Sequence, residues 1–193
     1  MERRPARSRS CHNGRVTALR VLTVCTGNVC RSPAAAVMLR EAVRADPRLA
    51  ADVEVHSAGL SWEAEGEPMD PRTVLALEHA GYTQPFEHTA RSIHQSELPT
   101  WDLLLPMTTD HAAALLRKAE QIPPDASTPE ISLWRTFDPL LPAGAEDEDI
   151  SVPDPWYEGQ EAFDETIEVL RGALPALLEH IAELLEAKRA AAR

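Results

Sequence analysis

One three-layer α/β domain, with a short parallel sheet of about four strands and helices on both faces, is predicted by three observations. Short runs of β-branched and apolar residues alternate along the chain with stretches of strong helix formers. That alternation implies parallel strands joined by right-handed crossovers. The chain has 193 residues, of which 44% are apolar, enough to bury one core and few for two. A glycine-containing loop directly follows the first apolar run, and ligands of such sheets bind beyond the carboxyl ends of the strands.

Strand candidates are residues 21–25, 53–57, 101–107 and 131–136, each a short apolar or β-branched run. Helical patterns fall at 34–45, 71–79, 110–118 and 162–188. Pro33 suits a first helical position, where its missing N–H costs nothing, and Ser32 beside it is expected to cap the first turn. In the last helix Phe163, Ile167, Leu170, Leu174, Leu177, Ile181 and Leu184 recur four and three apart, a single stripe for packing on the sheet. Pro175 is expected to kink or split that helix. Its exposed end is a candidate dimer contact, so a monomer or weak dimer is expected. Residues 1–19 read as a basic, disordered tail, 20–186 as the domain, and 187–193 as a C-terminal tail.

The balance of 31 acidic against 19 basic residues leaves a net charge of −12. Arg3, Arg4, Arg7, Arg9 and Arg15 stand in the tail with no apolar stretch behind them, which excludes a secretory signal. The acidic remainder repels nucleic acid and anionic lipid, and no apolar run is long enough to span a bilayer, so neither partner is expected. Three cysteines, two of them in one loop, build no disulfide framework and point to a reducing cytoplasm. Cys11 reads as a spare thiol in the tail. His79, His88 and His94 are scattered rather than grouped with thiols, so no metal and no cofactor are expected.

The segment Cys25-Thr26-Gly27-Asn28-Val29-Cys30-Arg31-Ser32-Pro33 carries the chemistry. It puts a thiol and a guanidinium at the two ends of a five-residue loop, between a strand and a helix start. Amides at such a start, backed by the helix dipole, favour a phosphate. Gly27 is expected to let the backbone curl so that successive amides face inward. Arg31 adds a planar fork that holds two phosphate oxygens at once. The same field favours the thiolate of Cys25, the form that attacks phosphorus. Asp154, in Asp154-Pro155-Trp156-Tyr157, reads from the residues alone either as a turn opener or as a general acid. The acidic stretch 144–149 just before it is expected to be a mobile loop that carries Asp154 and disfavours acidic phosphopeptides.

Val24 through Pro33 resembles the loop pattern V-C-x-G-N-x-C-R-S-P of the low-molecular-weight protein tyrosine phosphatases. Asp154-Pro155-Trp156-Tyr157 resembles the Asp-Pro-aromatic signature of the same family, and Ser57-Ala58-Gly59 and His88-Thr89-Ala90-Arg91 resemble two of its intermediate segments. The resemblance spans residues 20–186 and implies a flavodoxin-like strand order. It implies that Cys25 attacks phosphorus to form a cysteinyl-phosphate, that Arg31 holds the equatorial oxygens, and that Asp154 protonates the leaving phenolate and then activates water. Thr26, Gly27, Asn28, Val29, Cys30, Arg31 and Ser32 would form the phosphate-binding loop. Asn28 would bond to Ser32, Ser57 and His88, holding that loop in a strained shape before phosphate arrives. Trp62, Trp156 and Tyr157 are candidate walls of a slot for a flat ring. Val29 stands where phosphoarginine-directed relatives carry Thr, which points to phosphotyrosine, in a protein or as a small aryl phosphate. Cys30 is either a small packing residue or a redox partner of Cys25.

Two positions depart from the pattern. Ala36 stands where Glu is common, and Thr108 stands where an acidic residue is usual, so turnover rate rather than reaction type is expected to differ. Two rival classes are arsenate reduction and a non-catalytic phosphate-binding module. The first needs a relay cysteine beyond Cys30, and there is none.

Overall fold

The computed structural model describes residues 18–193, so Cys11 and the arginines of the basic tail lie outside the described residues. In chain order the elements are β1 (Leu19–Cys25), α1 (Arg31–Ala45), β2 (Val53–Gly59), α2 (Pro71–His79), β3 (Leu103–Pro106), α3 (Thr109–Ala119), β4 (Glu130–Ile131) and α4 (Gln160–Ala191). The strands form one sheet in the order β2-β1-β3-β4, every pair parallel, which is the flavodoxin-like arrangement.

The alternation of β1 decides how the layers are filled. Leu19, Val21 and Cys25 face a core shared with α1, α2 and α4. Leu22 and Val24 face a second, smaller core with Leu115 of α3 and with Leu98 and Trp101, in and just after the 3₁₀ turn Gln95–Thr100. A strand buried on both faces has no polar side to show, hence its continuous apolar run.

Three local expectations are corrected. The fourth strand, read at 131–136, pairs only over Glu130–Ile131, after which Trp134–Phe137 turns as a 3₁₀ helix. Trp134 is fully buried and donates its ring N–H to the Leu170 carbonyl at 3.0 Å, so the chain leaves the sheet edge to bury its largest ring against α4. Pro175 does not split α4, which runs unbroken for 32 residues. The missing N–H gives up one helical bond, and burial of Ala173, Leu174 and Leu177 around it holds the helix together. Residues 187–191, read as tail, are the last turn of α4. Lys188 binds Asp102 at 2.7 Å and the Ala18 carbonyl at 3.0 Å, and Arg189 binds Asp52 at 2.6 Å.

Two connections deliver the site. The Met107 N–H donates to Val24 O at 3.0 Å and the Val152 N–H donates to Met107 O at 2.7 Å, which pins the chain before Asp154 beyond the carboxyl ends of β1 and β3. Thr108 turns out to be the cap of α3, accepting the His111 N–H at 3.2 Å.

Candidate active site

Cys25 ends β1 opposite Gly59 of β2, with its side chain 3% exposed. The chain then turns through Asn28, whose φ of 60° is the left-handed region. Asparagine tolerates that conformation when its side chain is bonded, and here both side-chain polar atoms and the carbonyl are bonded. Its Nδ2 donates to Ser32 Oγ at 2.9 Å, its Oδ1 accepts the Arg91 N–H at 3.1 Å, and its carbonyl accepts from His88 Nε2 at 2.7 Å. Gly27, from which the curl of the loop is expected, has no positive φ; that conformation falls on Asn28. A Cβ on Gly27 would meet only ordinary contacts, Ala64 at 3.6 Å and Val29 at 3.9 Å.

Ser32 does not cap α1, which starts at Arg31 without a side-chain cap. Its hydroxyl lies 3.0 Å from Cys25 Sγ and 3.3 Å from the Ala58 carbonyl, and it accepts from Asn28. Ser57 was expected beside Asn28. It is buried on β2 opposite Thr23 and makes no hydrogen bond to the loop, the place at Oδ1 being taken by the Arg91 main chain.

Arg31 is 4% exposed and points into the same mouth. It meets Asp154 at 2.7 Å, across 123 positions of sequence, and donates to the Val152 carbonyl at 3.3 Å. A cavity of about 590 Å³ joins these groups, lined by Cys25, Thr26, Gly27, Val29, Cys30, Arg31 and Asp154. Trp156 and Tyr157 line it and are 44% and 91% exposed, while Trp62 is 76% exposed and takes no part in the lining. The wall expected from Trp62 is supplied by its neighbours Ser61, Glu63 and Ala64, with Glu67 through Pro71.

Four further residues contribute. His111 of α3 binds Thr26 Oγ1 through Nε2 at 3.0 Å, its Nδ1 having no partner. Burial, then the charge of Arg31, depress its pKa to about 4, so the ring is neutral. Asp70 caps α2 and pairs with Arg72 at 2.9 Å. Arg72 in turn donates to the carbonyls of Trp156 and Glu158 at 3.2 and 3.0 Å, bracing the chain after Asp154. Gly59 has its Cα where a Cβ would strike the loop backbone, 2.6 Å from Thr26 O. Burial, followed by the Asp70 carboxylate, pushes the Cys30 thiol up to about 12, and burial lowers the pKa of His88. Among the described residues no group of three or more His, Cys, Asp or Glu is placed to hold a metal, and no helix is long and apolar enough to cross a membrane.

Comparison with known proteins finds relatives over most of the chain. A protein-tyrosine-phosphatase of low molecular weight from Streptomyces coelicolor is 38% identical over 171 residues, covering 89% of this chain and 98% of that protein. The crystal structure of a protein tyrosine phosphatase from Entamoeba histolytica superposes with a TM-score of 0.72 at 26% identity, over 86% of this chain and 98% of that one. A Drosophila arginine phosphatase superposes with a TM-score of 0.70 at 26% identity, over 84% and 97% of the two chains. The family model described as low molecular weight phosphotyrosine protein phosphatase matches residues 20–189, and the chain belongs to that family.

Proposed function

We propose that this protein is a metal-free phosphatase that hydrolyses phosphotyrosine, in proteins or as small aryl phosphates, through a cysteinyl-phosphate. The observation that carries the reading is the convergence of Cys25, Arg31 and Asp154 on one cavity at the start of α1. A phosphate dianion entering over the loop amides competes with Asp154 for the Arg31 fork. Displaced from Arg31, the Asp154 carboxyl faces the oxygen that leaves. Cys25 sulfur attacks phosphorus as the phosphorus–oxygen bond to the ring breaks, and Asp154 gives its proton to the departing phenolate. A water, deprotonated by Asp154, then attacks the thiophosphate, releasing inorganic phosphate and returning sulfur as the thiolate. Ser32 Oγ, oriented by Asn28, is 3.0 Å from that sulfur and can donate to it in both steps. Acid assistance of this kind contributes on the order of 10²–10⁴ in rate.

Trp156 and Tyr157 fit the flat ring, and Val29, which lines the cavity, is the branched apolar residue that favours phosphotyrosine. Likeness to the Drosophila arginine phosphatase makes phosphoarginine the second reading. A free thiol nucleophile works in a reducing compartment, and we place the protein in the cytoplasm as a monomer or weak dimer, without nucleic-acid or membrane partners.

Steady-state hydrolysis of p-nitrophenyl phosphate, a phosphotyrosine peptide and a phosphoarginine peptide tests the assignment. Cys25→Ser is expected to abolish turnover, and Asp154→Ala to lower kcat by about 10²–10⁴. A Cys25→Ser protein as active as the parent, or a preference for phosphoarginine, would refute it.

A further inference from the structure

A second cavity, about 480 Å³ in volume, lies away from the catalytic mouth, between α1, β2 and the chain at residues 83–87. β2 is an edge strand of the sheet, so the cavity opens beside the main chain. Val37, Val55, Pro85 and Phe86 give it an apolar floor. Arg40 and Arg44, one turn apart on α1, give it a cationic wall.

These two arginines differ from five others of the fold. Arg48, Arg72, Arg91, Arg171 and Arg189 each hold a carboxylate. Arg40 spends only Nε, on the Val55 carbonyl at 2.8 Å, and among the described residues neither Arg40 nor Arg44 has an ion-pair partner. Glu41 and Glu87 also border the cavity, without coming within ion-pair distance of either guanidinium. Like charges at this helical spacing repel. Burial, with the charge of Arg44 behind it, lowers the pKa of Arg40 from the usual arginine value. In a chain whose acidic residues outnumber basic ones 31 to 19, an unneutralised pair facing a cavity leaves room for an anion from outside.

We propose that this cavity is a second anion site that takes a small phosphate monoester or phosphonate, its oxygens held by the free N–H groups of Arg40 and Arg44 and its organic body laid on Val37, Val55, Pro85 and Phe86. Guanidinium forks match tetrahedral oxyanions in geometry, and the floor supplies the apolar contact usual in small-ligand sites. No lining residue is shared with the cavity at Cys25. The site nevertheless lies one residue from the loop clamp. Glu87 precedes His88, whose Nε2–H is donated to the Asn28 carbonyl, and the charge of Arg40 bears on that imidazole.

The test is a residue-resolved NMR titration of the full chain with phenylphosphonate, which is not hydrolysed, and separately with inorganic phosphate. Two midpoints are expected. One is read at the amides of Gly27 and Asn28, the other at Val37, Val55, Phe86 and the Arg40 Nε–H. Arg44 is exposed and bonds to nothing among the described residues, so Arg44→Gln should fold, and it should weaken the second midpoint by about tenfold or more. Phosphate, lacking a ring, should bind the second site more weakly than phenylphosphonate. Shifts around Arg40 that are absent, that follow the Gly27 midpoint, or that are indifferent to Arg44→Gln would overturn the proposal. Equal second midpoints for the two probes would overturn the part given to the apolar floor.

Discussion

Replacing Gly59 by Ala adds one methyl group to a strand that lies outside the phosphate loop, and it should damage catalysis more than the same change at Gly27 within it. The new Cβ would stand 2.6 Å from Thr26 O, 3.1 Å from Gly27 C and 3.2 Å from Asn28 N, all main-chain atoms that no rotamer change can move. Opening the shortest approach to an ordinary 3.4 Å contact shifts strand and loop apart by about 0.8 Å. That shift opposes the bonds that hold them together, Leu60 N–H to Cys25 O and Ser61 N–H to Thr26 O, both 2.9 Å. A misplacement near 1 Å costs on the order of 10² in rate, and overpacking of this kind costs roughly 1–3 kcal/mol, or about 2–12 °C in Tm for a domain of this size. Steady-state kcat/KM for p-nitrophenyl phosphate, inhibition by inorganic phosphate, and a thermal melt measure the three consequences. Gly27→Ala, whose Cβ meets nothing closer than 3.6 Å, should lose far less. A Gly59→Ala enzyme with kcat/KM within about twofold of the parent would refute the reasoning.

Three further outcomes are expected. His111 has its folded pKa near 4 against 6.5 in free histidine, so on acidification the unfolded chain takes the proton first. The stability it provides is whole above pH 6.5 and drains away down to about pH 4, by on the order of 3 kcal/mol. Urea unfolding at pH 7 and pH 4.5 should show His111→Gln losing less on acidification than the parent, and equal losses would count against it. Asn28→Ala should destabilise by roughly 1–3 kcal/mol through left-handed strain plus the lost Ser32 and Arg91 contacts. Asn28→Gly, free of strain, should recover only part of that in the same melt. Cys30, its thiol pushed up to about 12, should be the slowest cysteine to react with iodoacetamide at pH 7.5, which peptide mass spectrometry reads directly.

How far the sequence speaks for itself differs from residue to residue. Cys25, Arg31 and the strand–loop–helix frame are local, and local chemistry is legible. Asp154 needed the family resemblance, because only folding brings it across 123 positions to Arg31. His111 meets Thr26 across 85 positions, and Arg72 meets Trp156 across 84, with no motif to announce either pairing. Gly59 reads as an ordinary small residue until the spacing between β2 and the loop is known. The fourth strand failed because an apolar run with Trp134 in it fits a sheet edge and a helix contact equally well, and burial of the indole chose the latter. The tail read at 187–193 failed because Lys188 and Arg189 look solvated in sequence, and only the fold supplies Asp102 and Asp52 as their partners.

That anchoring of the last turn of α4 has a practical side. Lys188 grips the chain where β1 and β3 begin, whereas Cys25 stands where β1 finishes, roughly 20 Å away along the strand. A bead, sensor chip or fluorophore coupled through the C-terminus would thus be attached at the pole opposite the mouth, leaving the entrance turned toward the bulk for bulky phosphorylated polypeptides to approach.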